Sequence, residues 1–456
     1  MTIPKGRPAR TAAVARLALR AGGRYAARWP WLAFASVERR QELRHDLALR
    51  TAEEVAEELG AMKGAMMKLG QMASYVDEGV PETARATMAR LQRDAPPMSA
   101  ELAASVVAEE LGGPPERVFG RFDPLPFAAA SIGQVHRAIT RGGQAVAVKV
   151  QYPGIAEAIE ADLRNASLLR RVFGMAFPGL DSRAFVEELR ERLAEEVDYR
   201  LEADHQELFT AYYEGHPVIR VPRVVRELST RRVLTTELVP GAPFEDVVGW
   251  DQRERDQAAE TIYRFVFRGL YRLHAFNGDP HPGNYLFHGG GRVTFLDFGL
   301  TKRFTAEDLA PLADAARFIA VERDGDGFRD AMERAGFVQR GAPVSTEAVV
   351  DHIGAFYQPA MHDVSLTITP EYASALVRRF FDTRSPLAPY SNIPRGYVVL
   401  QRINLGLMAV LGSLRATANW RRIAEEIWPF TEGPPSTPIG EAEARWAGEA
   451  GPAPVR

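Results

Sequence analysis

The sequence predicts an α+β fold of two lobes, in which a helical extension leads into a strand-rich lobe and a mainly helical lobe follows. Three changes of pattern along the chain support this prediction. Residues 51–117 carry apolar side chains at helical spacing, residues 118–240 contain strand-like runs, and residues 241–431 return to helical spacing. With 456 residues the chain can form two cores, since a single core rarely grows beyond about 300 residues.

The composition excludes several classes of function. The formal net charge is only −3, so no charge imbalance points to nucleic acid as a partner. The absence of cysteine excludes disulfides, thiolate metal sites and a cysteine nucleophile. No run approaches the ~20 consecutive apolar residues of a membrane span, and arginines interrupt the apolar residues near the N-terminus. We therefore expect a cytoplasmic protein.

The two ends of the chain differ from the middle. Residues 1–50 carry eleven Lys and Arg, and four arginines share one helical face because they repeat every fourth residue: Arg16, Arg20, Arg24 and Arg28. Aromatic side chains follow at Trp29, Trp31 and Phe34. Two interpretations are open, peripheral contact with the anionic inner face of a membrane or a solvated extension. The tail, residues 432–456, is rich in Gly, Pro and Ala and is predicted to be disordered.

The helical extension begins at Thr51, where Glu54 completes a capping box, and a second helix is predicted over residues 99–111. The strand-rich lobe contains a hairpin with its turn at residues 141–143. Its other predicted elements are helices at 154–172 and 182–211 and strands at 218–225 and 233–239. The helical lobe contains a short strand pair around residues 285–296 and an apolar helix, 397–414, which is a second candidate surface for lipid.

Three segments carry residues suited to phosphoryl transfer. Lys149 ends a strand, where a lysine can pair with the α- and β-phosphates of ATP. Asp279 lies in a rigid Pro/Gly loop and can orient the attacking hydroxyl, while Asn284, five residues later, can hold Mg²⁺. Asp297 begins Asp-Phe-Gly after an apolar strand and can bind the Mg²⁺ that bridges the phosphates. The order and spacing of these segments predict a protein-kinase-like fold that binds ATP and Mg²⁺.

Other parts of that site are less certain from spacing alone. The 182–211 helix offers several carboxylates that could restrain Lys149, and helical spacing places Glu195, Asp198 and Glu202 on one face. Backbone groups at Glu237 and Val239 follow a strand and can hydrogen-bond adenine. The loop expected to cover the phosphates is rich in alanine instead of glycine, with these candidate residues: Ala128, Ala129, Ala130, Ser131 and Gly133.

Two features differ from protein kinases. No His-Arg pair precedes Asp279, and a helix capped by Thr305 and Asp308 follows Asp-Phe-Gly almost at once. The short interval provides no long activation segment and no obvious platform for a peptide substrate, which argues against an ordinary protein kinase.

The chain resembles the AarF/UbiB family over roughly residues 50–420. The resemblance rests on the alanine-rich loop, the metal and catalytic loops, and two further motifs whose residues are Lys68, Gly70 and Gln71 and then Glu196 and Asp198. It implies that Lys68 and Gln71 fold over the pocket near Glu196 and Asp198, and that Glu202 is the partner of Lys149. Helical spacing favours Glu195 over Glu196 on that face, so the role of Glu196 stays open.

The resemblance also implies a function. Members of this family support the metabolism of ubiquinone or other isoprenoid lipids, as ATPases or as small-molecule kinases, so an isoprenoid lipid or quinone precursor is an expected partner. Two alternatives remain: a phosphotransferase of the aminoglycoside or choline kinase type, and a nucleotide-sensing scaffold without turnover. The combined presence of Lys149, Asp279, Asn284 and Asp297 argues against the scaffold.

Overall fold

The structure is a computed structural model that describes residues 98–130, 132–157, 195–277, 280–380, 382, 384–392, 394 and 397–449. The helices are α1 (Ala100–Leu111), α2 (Pro115–Val118), α3 (Tyr199–Tyr212), α4 (Phe244–Val247), α5 (Gln252–Arg268), α6 (Ala306–Ala316), α7 (Gly325–Arg334), α8 (Thr346–Ile353), α9 (Gln358–Met361), α10 (Pro370–Phe380), α11 (Val398–Ser413), α12 (Trp420–Ile427) and α13 (Pro438–Glu449). The strands are β1 (Arg121–Ala130), β2 (Gly133–Ile139), β3 (Ala145–Gln151), β4 (Ile219–Arg220), β5 (Val233–Glu237), β6 (Ala275–Asn277), β7 (Tyr285–Phe287), β8 (Val293–Phe295), β9 (Thr301–Arg303), β10 (Leu366–Thr367) and β11 (Thr417–Ala418).

The described residues fall into two compact units. The first comprises residues 98–137 and the described parts of 149–197, and the second comprises 138–148 and the described parts of 198–449. A four-stranded sheet has the order β1-β2-β3-β5. The predicted basic extension and most of the predicted helical extension and of the 154–172 helix lie outside the described residues.

Helix α1 confirms the helix predicted over residues 99–111. The Ser99 hydroxyl accepts a hydrogen bond from the Leu102 N–H at the N-terminus, and Gly112 ends the helix in the left-handed region with φ 76°. In the same unit the buried Gln134 side chain accepts from the Met98 N–H at 2.8 Å. Residues 98–111 are therefore anchored to β2.

The alanine-rich segment differs from the prediction of a loop. Ala128, Ala129 and Ala130 are the last three residues of strand β1, and Gly133 already begins β2. Alanine, unlike glycine, strongly prefers negative φ, so the chain stays extended where a glycine-rich segment could bend. Any contact with phosphate from this segment would come from the end of a strand.

The prediction of one continuous helix over residues 182–211 is wrong at Asp198. This residue has extended backbone angles, φ −123° and ψ 94°, and its carboxylate caps α3 by accepting from the Arg200 N–H. Asp198 therefore precedes the helix, and helical spacing cannot place it on one face with Glu195 and Glu202. The reason is local, because an aspartate side chain competes for backbone N–H groups and favours the cap position.

The second unit contains the predicted strand pair around residues 285–296. Strands β7 and β8 are antiparallel, with Tyr285 opposite Phe295, and β4 joins them parallel to β8. Only Ile219–Arg220 of the predicted 218–225 strand forms a strand. The turn between β7 and β8 uses three glycines with positive φ at residues 289–291, a conformation that other residues rarely adopt.

The helices that follow enclose the core of the second unit. Phe276, Phe295 and Trp420 are fully buried within it. Helix α11 belongs to this core as well, since Ile403 and Leu407 are buried completely. The prediction that the apolar 397–414 helix is a surface for lipid is therefore wrong, because its apolar side chains that the structure describes are buried in this core, apart from Ala409.

The prediction of a disordered tail is wrong for residues 438–449, which form helix α13. Ile439, Glu443 and Trp446 are buried on one face of this helix. Composition misled the prediction, since a Gly- and Ala-rich segment has few apolar side chains but here places Ile439 and Trp446 four and three residues from Glu443. The helix is short, and packing against the rest of the second unit stabilises it.

Candidate functional site

The β7–β8 hairpin brings Asn284 and Asp297 close together in the backbone. Asn284 immediately precedes β7, and its carbonyl accepts a hydrogen bond of 3.0 Å from the Leu296 N–H, one residue before Asp297. The loop before Asn284 is closed by two further bonds, from the Asn284 N–H to the His281 carbonyl and from the Gly283 N–H to His281 Nδ1. The side chains of Asn284 and Asp297, which both carry oxygen, therefore branch from backbone positions that lie close together at the base of this hairpin.

Asp297 accepts one hydrogen bond at its side chain and one at its backbone carbonyl. Asp297 Oδ1 accepts from the Gly299 N–H at 2.9 Å, and the Asp297 carbonyl accepts from Asn277 Nδ2 at 2.7 Å. Asn277 lies in β6, whose pairing with β9 places it opposite Thr301. This role of Asn277 cannot be predicted from the sequence, because it depends on the pairing of two short strands that are distant in sequence.

Helix α3 presents three side chains toward the Asp-Phe-Gly segment. Glu202, His205 and Phe209 follow the spacing of one helical face, and His205 Nδ1 lies 3.3 Å from the Phe298 carbonyl. The Phe209 ring packs on the fully buried Phe298 ring with centroids 5.0 Å apart. The spacing of Glu202, His205 and Phe209 is visible in the sequence and would have revealed this face.

The glycine of Asp-Phe-Gly shows how close the two acidic side chains lie. A Cβ placed on Gly299 would lie 3.4 Å from Asp297 Oδ1 and 3.6 Å from Glu202 Oε2. Both carboxylates are thus within 4 Å of one point, and Glu202 is buried. The two carboxylate oxygens therefore lie no more than about 7 Å apart, and like charges at such a distance are favoured by a nearby cation.

The donor set suits Mg²⁺. Carboxylate and amide oxygens are the side-chain ligands that this ion prefers, and it is commonly bound through one or two carboxylates together with phosphate oxygens. Asp297 and Asn284 supply such oxygens from a rigid hairpin. Within the described ranges, no three His, Asp or Glu side chains form a metal-binding group.

The first unit holds the other predicted phosphate contacts. Lys149 lies in β3 and is half-buried, between the buried Val148 and Val150. Glu196 is also buried, and the following Val197 accepts a hydrogen bond from Gln151 Nε2 at 3.2 Å. The predicted pairing of Lys149 with Glu202 would join the two units and stays a prediction.

The predicted adenine contacts fall on the segment after β5. The Glu237 and Leu238 N–H groups already donate to the Arg223 and Ala145 carbonyls. The Glu237 carboxylate pairs with Arg220 and lines an open groove of about 1120 Å³. The Glu237 N–H and side chain are therefore already engaged, and the predicted adenine contacts of the Glu237 and Val239 backbone stay a prediction.

Several predicted site residues lie outside the described part of the chain. They are Lys68, Gly70 and Gln71 of the extension, Ser131 between β1 and β2, and the candidate catalytic residue Asp279. The structure describes Pro280, the residue bonded to Asp279. The roles of all five stay predictions.

The protein has three features that are typical of protein-kinase-like folds. They are a four-stranded sheet, a buried glutamate on helix α3, and a hairpin flanked by Asn284 and Asp297. Comparison with known proteins then gives the family. The description of the matching family is "ABC1 atypical kinase-like domain", and its match covers residues 90–330, more than half of the chain. The chain belongs to this family, the AarF/UbiB family that its motifs resemble.

Two relatives and one solved structure illustrate the similarity. The chain is 37% identical over 260 residues to the mitochondrial atypical kinase COQ8B of Rattus norvegicus, covering 56% of this chain and 49% of that protein. It is 30% identical over 313 residues to the mitochondrial atypical kinase COQ8 of Saccharomyces cerevisiae, covering 68% and 62%. The chain thus spans about half to three fifths of the length of these two relatives.

The solved structure is the complex of Rv3197 with erythromycin from Mycobacterium tuberculosis. It matches with a TM-score of 0.62 and 30% identity, covering 86% of this chain and 98% of that one. Together with the family match, this similarity confirms the predicted kinase-like fold class. No helix among the described residues is both long and apolar enough to cross a membrane.

Proposed function

We propose that this protein binds Mg-ATP and either hydrolyses it or transfers its γ-phosphoryl group, in support of isoprenoid-lipid metabolism of the ubiquinone type. The observation that carries the proposal is the convergence of Glu202, Asp297 and Asn284 at the β7–β8 hairpin and the Asp-Phe-Gly segment. These residue types at these places match the needs of phosphoryl transfer, which relies on positioning and on compensation of phosphate charge.

Each residue has a role in this proposal. Asp297 and Asn284 would hold Mg²⁺, which neutralises charge on the phosphates. Lys149 would contact the α- and β-phosphates, restrained by Glu202. Asp279 would accept a proton from the acceptor hydroxyl or orient a water molecule, and the backbone at Glu237 and Val239 would hold adenine.

The substrate class follows from two considerations. Only β9 separates Gly299 from the helix α6, whose capping box is formed by Thr305 and Asp308. This short connection leaves little room for a segment that would bind a peptide, so we propose a small molecule or lipid as the acceptor. The link of this family to ubiquinone biosynthesis favours an isoprenoid lipid or quinone precursor. The relatives named COQ8 are mitochondrial by name, so the expected location, in the cytoplasm or at the inner face of a membrane, stays a proposal that rests on the sequence alone.

The first prediction tests nucleotide binding. Mg-ADP at about 100 times its Kd should stabilise the protein by about 2.7 kcal/mol, since it binds only the folded state. Asp297→Asn should remove the part of this stabilisation that depends on Mg²⁺, because it removes the charge that holds the ion. Thermal unfolding with ADP, with and without Mg²⁺, measures both effects.

The matched control is Asp246→Asn, which makes the same change at an exposed position in α4. It should keep the full Mg²⁺-dependent stabilisation. A folded wild-type protein whose unfolding temperature does not respond to ADP or ATP would contradict the proposal. Conversion of ATP to ADP, which accompanies both hydrolysis and phosphoryl transfer, then distinguishes an enzyme from a nucleotide-sensing scaffold, which would bind nucleotide without turnover.

A further inference from the structure

Helix α11 contacts the loop that follows Asp279 at a position where only glycine fits. A Cβ placed on Gly406 would lie 2.3 Å from Cγ of Pro280 and 3.3 Å from its Cβ. Both residues are buried. Ordinary van der Waals contact begins near 3.4 Å, so a methyl group at Gly406 requires a displacement of about 1 Å.

Helix α11 cannot easily supply this displacement. At its N-terminal end the Tyr397 hydroxyl donates to the Asp308 carbonyl at 2.7 Å. At its C-terminal end the Leu414 carbonyl accepts from the Arg255 guanidinium. Between these ends Leu407 is fully buried, and close-packed interiors resist shifts of this size.

The loop on the other side also has little freedom within itself. Pro280 has a closed ring, so its Cγ cannot rotate away as the end of a flexible side chain would. The loop is tied to the hairpin by the bonds from the Asn284 N–H to His281 and from the Leu296 N–H to Asn284. A push on Pro280 therefore moves the backbone between Pro280 and Asn284.

We propose that Gly406 is a positioning residue for phosphoryl transfer, which sets the place of the Pro280–Asn284 loop by allowing α11 to contact Pro280. The inference rests on the proposed function, because it concerns the turnover of the same site. Asn284 is the predicted metal ligand at one end of this loop, and Asp279 is bonded to the other. Displacing such groups by 1 Å can lower a rate by ~10²-fold.

The test compares Gly406→Ala with the wild-type protein. We expect kcat for ATP turnover to fall by about 10²-fold. The shift of the unfolding temperature caused by ADP without Mg²⁺ should stay close to its wild-type value, because the predicted phosphate and adenine contacts lie on other elements. The fall in kcat should exceed any rise in the KM for ATP. The control Gly448→Ala, in α13, should leave kcat unchanged, since a Cβ there meets no atom within 4 Å.

A second substitution tests whether the Pro280 contact causes the loss. Pro280→Ala removes Cγ, so the double variant Gly406→Ala with Pro280→Ala should turn over ATP at least ten times faster than Gly406→Ala alone. If Gly406→Ala does not fold, the double variant should fold and turn over ATP at a rate within tenfold of Pro280→Ala. Failure of the double variant to recover folding or turnover would overturn the inference.

The results also separate this inference from the proposed function. A wild-type protein without ATP turnover would contradict the enzymatic function itself. A wild-type protein with turnover, together with a Gly406→Ala variant of equal kcat, would overturn only the role of Gly406.

Discussion

At the scale of single residues, the backbone of the Asp-Phe-Gly segment is held by side chains from other elements. Asn277 donates to the Asp297 carbonyl, and His205 and Thr301 both contact the Phe298 carbonyl. None of the three is a predicted ligand for nucleotide or metal. Their contacts show that the orientation of Asp297 depends on hydrogen bonds to the main chain as well as on its own carboxylate.

Asn277 offers the clearest test of this point. Asn277→Ala removes the donor at 2.7 Å from a partly buried carbonyl, which should cost about 1–3 kcal/mol of unfolding free energy. The Mg²⁺-dependent stabilisation by ADP should weaken as well, because the Asp297 carbonyl loses the hydrogen bond that Asn277 donates. Urea unfolding with and without Mg-ADP measures both. The control Asn392→Ala, at an exposed position, should change neither quantity, and equal effects of the two variants would contradict the assignment.

At the scale of elements, the C-terminal helix α13 is joined to the rest of the second unit by a buried charged cluster. Arg264 of α5 lies at its centre and binds three carboxylates: Glu260, Glu426 and Glu443. Glu443 also accepts from His216 at 3.0 Å, and the neighbouring Trp446 donates to the Glu214 carbonyl. Because Glu214 and His216 follow α3, the cluster links α13 to the helix that carries Glu202.

The contacts between His216 and Glu443 determine the protonation of these two members of the cluster. Nδ1 of His216 accepts from the Val218 and Ile219 N–H groups, so its proton lies on Nε2, facing Glu443. Burial lowers the pKa of His216, although Glu443 acts in the opposite direction. Burial alone would raise the pKa of Glu443, but the His216 hydrogen bond and the positive charges of Arg268 and Arg264 outweigh it and bring the pKa to about 2.

These shifts predict how stability depends on pH. The depressed pKa of Glu443 means that its contribution is complete above its ordinary value of 4.5 and is lost as pH falls toward about 2. Glu443→Gln should therefore cost on the order of 3–5 kcal/mol at pH 7, as expected when one partner of a buried ion pair is removed. The free-energy difference between wild type and variant should shrink at pH values below 4.5.

Urea unfolding of both proteins at pH 7 and pH 3.5 measures this difference. The control Glu441→Gln changes an exposed carboxylate of the same helix and should have little effect at either pH. A wild-type minus Glu443→Gln difference that stays constant between the two pH values would contradict the assignment of a charged, paired Glu443. His216 also makes the protein less stable as pH falls, because its pKa is lowered in the folded state. This loss of stability begins near the ordinary pKa of 6.5.

The elements show which parts of the fold the sequence could predict. The helix at residues 99–111, the β2–β3 and β7–β8 hairpins and the cap at Thr305 follow from local capping and turn chemistry, and the structure confirms them. The sequence did not predict the break in the helix at Asp198 or the ordered helix α13. The first depends on competition between a side chain and the backbone, and the second on Arg264 and Glu443, which are 179 residues apart in the sequence.

At the scale of the whole molecule, the motifs predict the family because their order and spacing can be read from the sequence without knowing which residues they contact. The same motifs could not predict Asn277 or Gly406, since those roles arise from strand pairing and from the approach of a distant helix. The sequence thus predicts which residues are candidate ligands for the nucleotide and the metal. The positioning residues of the candidate site required the three-dimensional structure.

The last prediction concerns how a protein of this class would reach a lipid substrate. The four arginines of the basic extension share one predicted face, and aromatic residues at Trp29, Trp31 and Phe34 follow them. Each arginine near an anionic surface contributes up to ~1 kcal/mol, and the attraction fades within a Debye length. We therefore expect the protein to sediment with anionic liposomes, and raising the salt concentration should weaken this binding.

Deletion of residues 1–36 should abolish sedimentation while ADP still raises the unfolding temperature, because the predicted nucleotide contacts all lie later in the chain. A matched control replaces Arg16, Arg20, Arg24 and Arg28 with glutamine and keeps the aromatic residues. If charge provides most of the attraction, this variant should lose sedimentation as the deletion does. Should the deletion variant sediment as well as the full chain, the extension is a solvated segment and another surface meets the lipid.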